Sequence, residues 1–134
     1  MKTSATLTKN QSLVLAQLQK AESPLTAYVL LDRLRDEGFR APLQVYRALE
    51  KLMESGIVHR LESINAFMAC SHDAHDGHAH GVAAFAICET CGQVDEFADH
   101  VIDDRLTAWT KTKGFQPHKT SVELRGTCAS CVAV

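Results

Sequence analysis

Two short cysteine pairs, Cys88-Glu89-Thr90-Cys91 and Cys128-Ala129-Ser130-Cys131, constrain this chain more than any other feature. Four thiolates presented as two Cys-x-x-Cys turns fit a tetrahedral zinc ion, each turn gripping the metal with two sulfurs. Such a site leaves no open position for water or substrate, so the ion is structural. Two disulfides or a dithiol redox pair are the competing readings. Cys70, the fifth cysteine, argues against both, because an odd thiol is awkward in an oxidising compartment. Residues 1–11 also lack the charged, apolar and small-residue order of an export signal, and a cytoplasmic protein is expected.

A chain of 134 residues can form one ordinary domain or two small ones, and a small second unit gains from a metal. No apolar run approaches the roughly 18 residues that span a bilayer, so no membrane association is expected. The net charge of −2 hides an asymmetry: residues 1–61 carry 9 Lys+Arg against 6 Asp+Glu, and residues 62–134 carry 5 against 10. Only the first half suits a phosphate backbone.

That half reads as three helices. Thr8 and Gln11 have capping-box spacing ahead of Leu15 and Leu18, with a stop expected near Ser23-Pro24. A second helix from Thr26 buries Ala27, Leu30, Leu31 and Leu34, and Gly38 ends it. The third opens at Pro42, whose missing N–H costs nothing in a first turn, and buries Val45, Leu49, Leu52 and Met53 before Gly56. Residues 57–62 and 66–70 then alternate as two strands around Ser63-Ile64-Asn65. Three helices and a hairpin predict a winged helix-turn-helix DNA-binding domain over residues 1–70.

Residues 71–81 hold His72, His75, His78 and His80 among Asp, Ala and Gly, and read as a metal-seeking linker. Residues 82–134 form the second domain. Strands are predicted over 82–88 and 93–97, a helix over 99–113 burying Ile102, Leu106 and Trp109, and a last strand over 116–125. The fold class is therefore α+β, with the small C-terminal domain stapled by the four-cysteine zinc.

The third helix is the candidate recognition helix: Gln44, Arg47 and Lys51 lie on its outer side and Tyr46 on a flank, groups suited to base edges and phosphate. A solvated charged face is the alternative, and the hairpin that follows favours DNA. That hairpin carries a second candidate metal pair. A turn centred on Ile64-Asn65 makes His59 and Cys70 direct cross-strand partners, close enough to grip one ion. An exposed histidine and a small buried cysteine are the bland alternative, against which stands the histidine-rich segment that follows Cys70.

The run Pro42-Leu-Gln-Val-Tyr-Arg-Ala-Leu-Glu-Lys-Leu, then Gly56-Ile-Val-His-Arg, the histidine segment, Cys88-x-x-Cys91-Gly-Gln-Val-Asp-Glu-Phe and Gly126-Thr-Cys128-x-x-Cys131 together resemble the ferric uptake regulator family of bacterial metal-sensing repressors. The resemblance covers nearly the whole chain in order and is strongest to its zinc uptake regulator branch. It implies a non-enzymatic, homodimeric repressor of zinc-import genes that binds double-stranded operator DNA, takes no small-molecule substrate and holds about two Zn2+ per chain. It also implies a regulatory zinc site of His59, Cys70, His80 and Glu96, with His78 as the alternative to His80. The sequence departs from the family in three places. Ala83-Ala84-Phe85-Ala86 replaces the dense histidine run of iron-sensing relatives, Gln44 stands where threonine is frequent, and His118 is out of register with the family's last-strand histidine. Another metal- or peroxide-sensing regulator of the family and a zinc-buffering protein are the rival functions. A zinc deaminase lacks its His-x-Glu here.

Overall fold

Thr8 Oγ1 accepts the Gln11 N–H while Gln11 Oε1 accepts the Thr8 N–H, both at 3.1 Å, and this reciprocal cap launches α1, Lys9–Lys20. The computed structural model describes residues 6–70 and 82–132. The chain divides into two units, Met1–Cys70 and Ser71–Val134.

In the first unit α1 stops at Lys20, short of the expected Ser23-Pro24, and Ala21 is already extended at φ −74° and ψ 142°. The extended path carries Leu25 into a bridge with Phe67, whose backbone groups exchange hydrogen bonds with those of Leu25 at 2.8 and 2.9 Å. Thr26 caps α2, Ala27–Arg33, by accepting the Val29 N–H at 3.2 Å. A 3-10 turn, Arg35–Glu37, ends at Gly38, whose φ of 102° belongs to the left-handed region. The longest helix of this unit, α3 (Pro42–Glu54), begins on Pro42 as expected. Strands β1 (Val58–Leu61) and β2 (Ala66–Ala69) form an antiparallel hairpin, the wing. Val14, Leu18, Leu30, Leu31, Leu34, Phe39, Val45, Leu49, Leu52, Val58 and Phe67 pack into one core, with Met53 at its margin. The stripes read from helical periodicity therefore face inward, and burial of this order supplies the main favourable term for the fold.

The second unit is a three-stranded sheet of order β4-β3-β5. Strand β3 (Ala83–Cys88) pairs antiparallel with β4 (Val94–Phe97) and parallel with β5 (Ser121–Gly126), which returns after helix α4 (His100–Lys113). Asp99 caps α4 by accepting the Val101 and Ile102 N–H groups at 2.8 and 3.2 Å. A last turn, α5, spans Ala129–Val132. Val82, Ala84, Phe85 and Ile87 are buried, but α4 buries no residue. The expected burial of Leu106 and Trp109 is thus corrected: both are exposed, Trp109 at 55 %, with its ring edge-on to Phe115 at 6.2 Å. The last strand also begins later than residue 116, and His118 sits exposed ahead of it. No described helix is long and apolar enough to cross a membrane.

Candidate metal centre and nucleic-acid interface

The parallel pairing of β3 with β5 sets Cys88 opposite Gly126, so both cysteine pairs emerge at the same end of the sheet. Gly92, at φ 82°, donates to Cys88 O at 2.9 Å and folds the first pair into a tight knuckle. The Cys131 N–H donates to Cys128 O at 3.0 Å and curls the second pair into α5. Sγ of Cys88 lies 3.8 Å from Sγ of Cys131, Sγ of Cys91 lies 3.8 Å from Sγ of Cys128, and all four sulfurs lie within 4.8 Å of one another. Zinc–sulfur bonds of about 2.3 Å in a regular tetrahedron need sulfurs about 3.8 Å apart, so these residues fit a structural zinc.

The electrostatics point the same way. Cys88 Sγ accepts the Cys128 N–H at 3.3 Å and the Cys91 N–H at 3.4 Å, and these two bonds bring its pKa down to about 6. At Cys91 the Gln93 N–H favours the thiolate, but the Cys88 sulfur and burial outweigh it and the pKa rises. The Cys128 sulfur, followed by burial, pushes Cys131 up to about 12. The Cys88 thiolate forms readily, whereas Cys91 and Cys131 resist until a cation offsets the accumulating charge, the role a dication fills.

The wing carries the second set. His59 pairs with Met68 and Val58 with Ala69, and the Cys70 N–H donates to Ile57 O at 2.9 Å. This corrects the expected register: residues 62–65 form the turn, with Asn65 in a left-handed conformation at φ 49°, so His59 and Cys70 are diagonal neighbours and not direct partners. Arg60 donates to Asn65 Oδ1 at 2.8 Å and braces that turn. A two-residue difference preserves the face, since side chains alternate with period two. A ring nitrogen of His59 lies within 4.8 Å of Cys70 Sγ, and both side chains are half-buried. In the second unit Glu96 is half-buried on β4 opposite Phe85. His78 and His80 lie outside the described residues.

On α3, Arg47 is exposed, Tyr46 is 37 % exposed with its ring edge against Phe67 at 6.4 Å, and Lys51 Nζ lies 3.5 Å from Glu54 Oε1. Gln44 acts locally, its Oε1 accepting the Arg40 N–H at 2.6 Å and the Ala41 N–H at 3.0 Å. Pro42 followed by Gln44 at the third helical position is the cue for this cap. Only this half of the Thr8–Gln11 arrangement is present here, because the N-cap residue is Ala41, whose side chain makes no capping hydrogen bond.

A winged helix in one unit and a four-thiol centre in the other define a metal-binding protein built on a nucleic-acid-binding fold. The chain belongs to the ferric uptake regulator family, whose profile matches residues 2–125. It is 36% identical over 129 residues to the zinc uptake regulation protein of Escherichia coli K12, covering 96% of this chain and 74% of the relative. A crystal structure of holo XcZur matches at a TM-score of 0.86 and 40% identity, covering 98% of this chain and 90% of that one. A zinc uptake regulator complexed with zinc and DNA matches at 0.84 and 32% identity, covering 96% of this chain and 85% of the other.

Proposed function

We propose that this chain is a zinc-responsive transcriptional repressor that binds operator DNA as a homodimer and silences genes for zinc uptake. The observation that carries the reading is the pairing of an imidazole nitrogen and a thiol sulfur within 4.8 Å on a wing that directly follows α3, the helix on which Arg47 and Lys51 are exposed. The four-thiol centre is already complete without them. Similarity to a zinc uptake regulator complexed with zinc and DNA supports the assignment.

In this reading the first unit is the DNA-binding domain, residues 71–81 are the linker and residues 82–134 are the dimerisation domain. Cys88, Cys91, Cys128 and Cys131 hold one zinc. His59 and Cys70 contribute half of a second site, and Glu96 with His80, or His78 in its place, completes it, making about two zinc ions per chain. One thiolate, two imidazoles and one carboxylate form a softer set than iron(II) or manganese(II) sites favour. Bound there, zinc would crosslink these side chains.

The residues of the chain do the rest. His59 and Cys70 tie the wing, and through it α3, to the side that carries Glu96. Tyr46, Arg47 and Lys51 meet DNA, with Arg47 suited to a guanine edge. The apolar groups that α4 leaves uncovered, Val101, Leu106 and Trp109, form the dimer contact. A symmetric dimer then sets two recognition helices about 34–36 Å apart, one turn of DNA. Turning the population of this DNA-binding arrangement from 1:99 to 99:1 requires about 5.5 kcal/mol of differential metal affinity, within the range of a few metal–ligand bonds.

The test is fluorescence anisotropy on a duplex selected from a random pool by the zinc-loaded protein. Binding should disappear with chelator and return with added zinc. Binding restored by iron(II) alone, or driven by loss of metal, contradicts the reading. Tight zinc uptake without any DNA binding identifies a buffer instead.

A further inference from the structure

We propose that the first turn of α3 reads a thymine C5-methyl group through Leu43, and that Gln44 holds that turn as a cap instead of reading a base with its amide. The inference rests on the operator-binding function proposed above and assigns part of its sequence specificity.

The helical wheel separates the two residues. At about 100° per residue, the buried face of α3, centred on Leu52, lies about 180° from Leu43, while Arg47 lies about 40° from Leu43. Leu43 is 56 % exposed and has exposed Arg47 one turn behind it. Gln44 is rotated to the flank and is only half-exposed. Reading adenine needs both the oxygen and the nitrogen of a glutamine amide together. At Gln44 the oxygen is already taken by the Arg40 and Ala41 N–H groups at 2.6 and 3.0 Å. Breaking that cap leaves two backbone donors without their acceptor in the turn that must dock, so the amide is better placed to fix α3 than to pair with a base.

An apolar side chain at the leading end of a recognition helix has one specific partner in the major groove, the thymine methyl. Exposed leucine alone means little. Its place on the same outward stripe as Arg47 gives it meaning. Side chains four residues apart on a helix are about 5–6 Å apart at Cβ. Base pairs are stacked about 3.4 Å apart, so the thymine lies within about two base pairs of the position read by Arg47.

The experiment replaces each thymine of the selected duplex by uracil, which removes only the methyl, and measures zinc-dependent binding of wild type and Leu43→Ala. Wild type should lose affinity about four-fold per half-site at one thymine, the worth of one buried methyl group. Leu43→Ala should bind thymine and uracil equally there. Equal uracil penalties for the two proteins at every position overturn the methyl assignment while leaving the repressor function standing; no zinc-dependent binding by wild type overturns both. For the cap, Gln44→Met should lower the first unit's melting temperature by about 4–8 °C and weaken all duplexes alike, and Gln44→Glu, which keeps the acceptor, should restore the melting temperature. A change in the preferred base at one position on Gln44→Met would show that the amide reads DNA.

Discussion

Replacing Phe67 by leucine keeps an apolar side chain in the core of the first unit but removes a ring that joins three parts of it. Phe67 is 1 % exposed, meets the Tyr46 ring edge-on at 6.4 Å and lies beneath the Arg60 guanidinium, 5.8 Å from the ring centroid. The aromatic pair contributes about 0.5–1.5 kcal/mol beyond burial, and the cation over the ring about 0.5–1 kcal/mol. The expected loss is therefore about 1–2.5 kcal/mol from the ring contacts alone, or a fall in melting temperature of about 4–20 °C for a unit of this size. Function should follow stability, because Tyr46 on α3 leans on this ring while the backbone bridge from Leu25 to Phe67 is indifferent to the side chain. Scanning calorimetry should show only the first unit's transition moving. Operator affinity should fall and zinc content should stay unchanged. An unshifted transition with full operator affinity would refute the claim that the ring couples wing to recognition helix.

Cys128→Ser should remove one zinc per chain and unfold the second unit, since a structural zinc contributes folding free energy; elemental analysis and far-UV circular dichroism check this, and a folded zinc-free variant contradicts it. The pH response has a defined sign. Hydrogen bonds in the folded state depress the Cys88 pKa to about 6, so the stability it brings is present above the ordinary thiol range and is lost as pH falls through about 6. Metal binding displaces thiol protons, and a zinc-release titration monitored with a colorimetric chelator should accordingly show loss on acidification; release that instead increases toward alkaline pH contradicts it. Trp109→Glu should convert the dimer to monomer in analytical ultracentrifugation, because it buries a charge in the contact proposed for α4; an unaltered dimer places the interface elsewhere.

Local chemistry is the part of the fold most open to sequence reasoning. The Thr8–Gln11 box, the Pro42 start and the Gly38 cap each depend on a few adjacent residues, and the structure has all three. The four sulfurs converge as their spacing suggests. Features set by distant parts of the chain are less accessible. The hairpin register depends on a four-residue turn stabilised by the left-handed Asn65 and the Arg60 bond, so His59 and Cys70 share a face but not a rung. The Leu25–Phe67 bridge joins segments separated by α2 and α3, beyond the reach of periodicity. For α4, an apolar stripe shows that something should cover Leu106 and Trp109 but not whether the cover is the same chain. Gln44 reads from sequence as an outward-facing amide because its residue type suits adenine equally well, although its position after Pro42 marks it as a cap.

Zinc counted by elemental analysis in wild type and Cys70→Ser, with operator affinity measured on the same samples, tests the central claim most directly. Two ions per chain falling to one, with zinc-dependent affinity lost and a dimer retained, is the predicted result. Equal zinc content and undiminished operator binding in Cys70→Ser would contradict it.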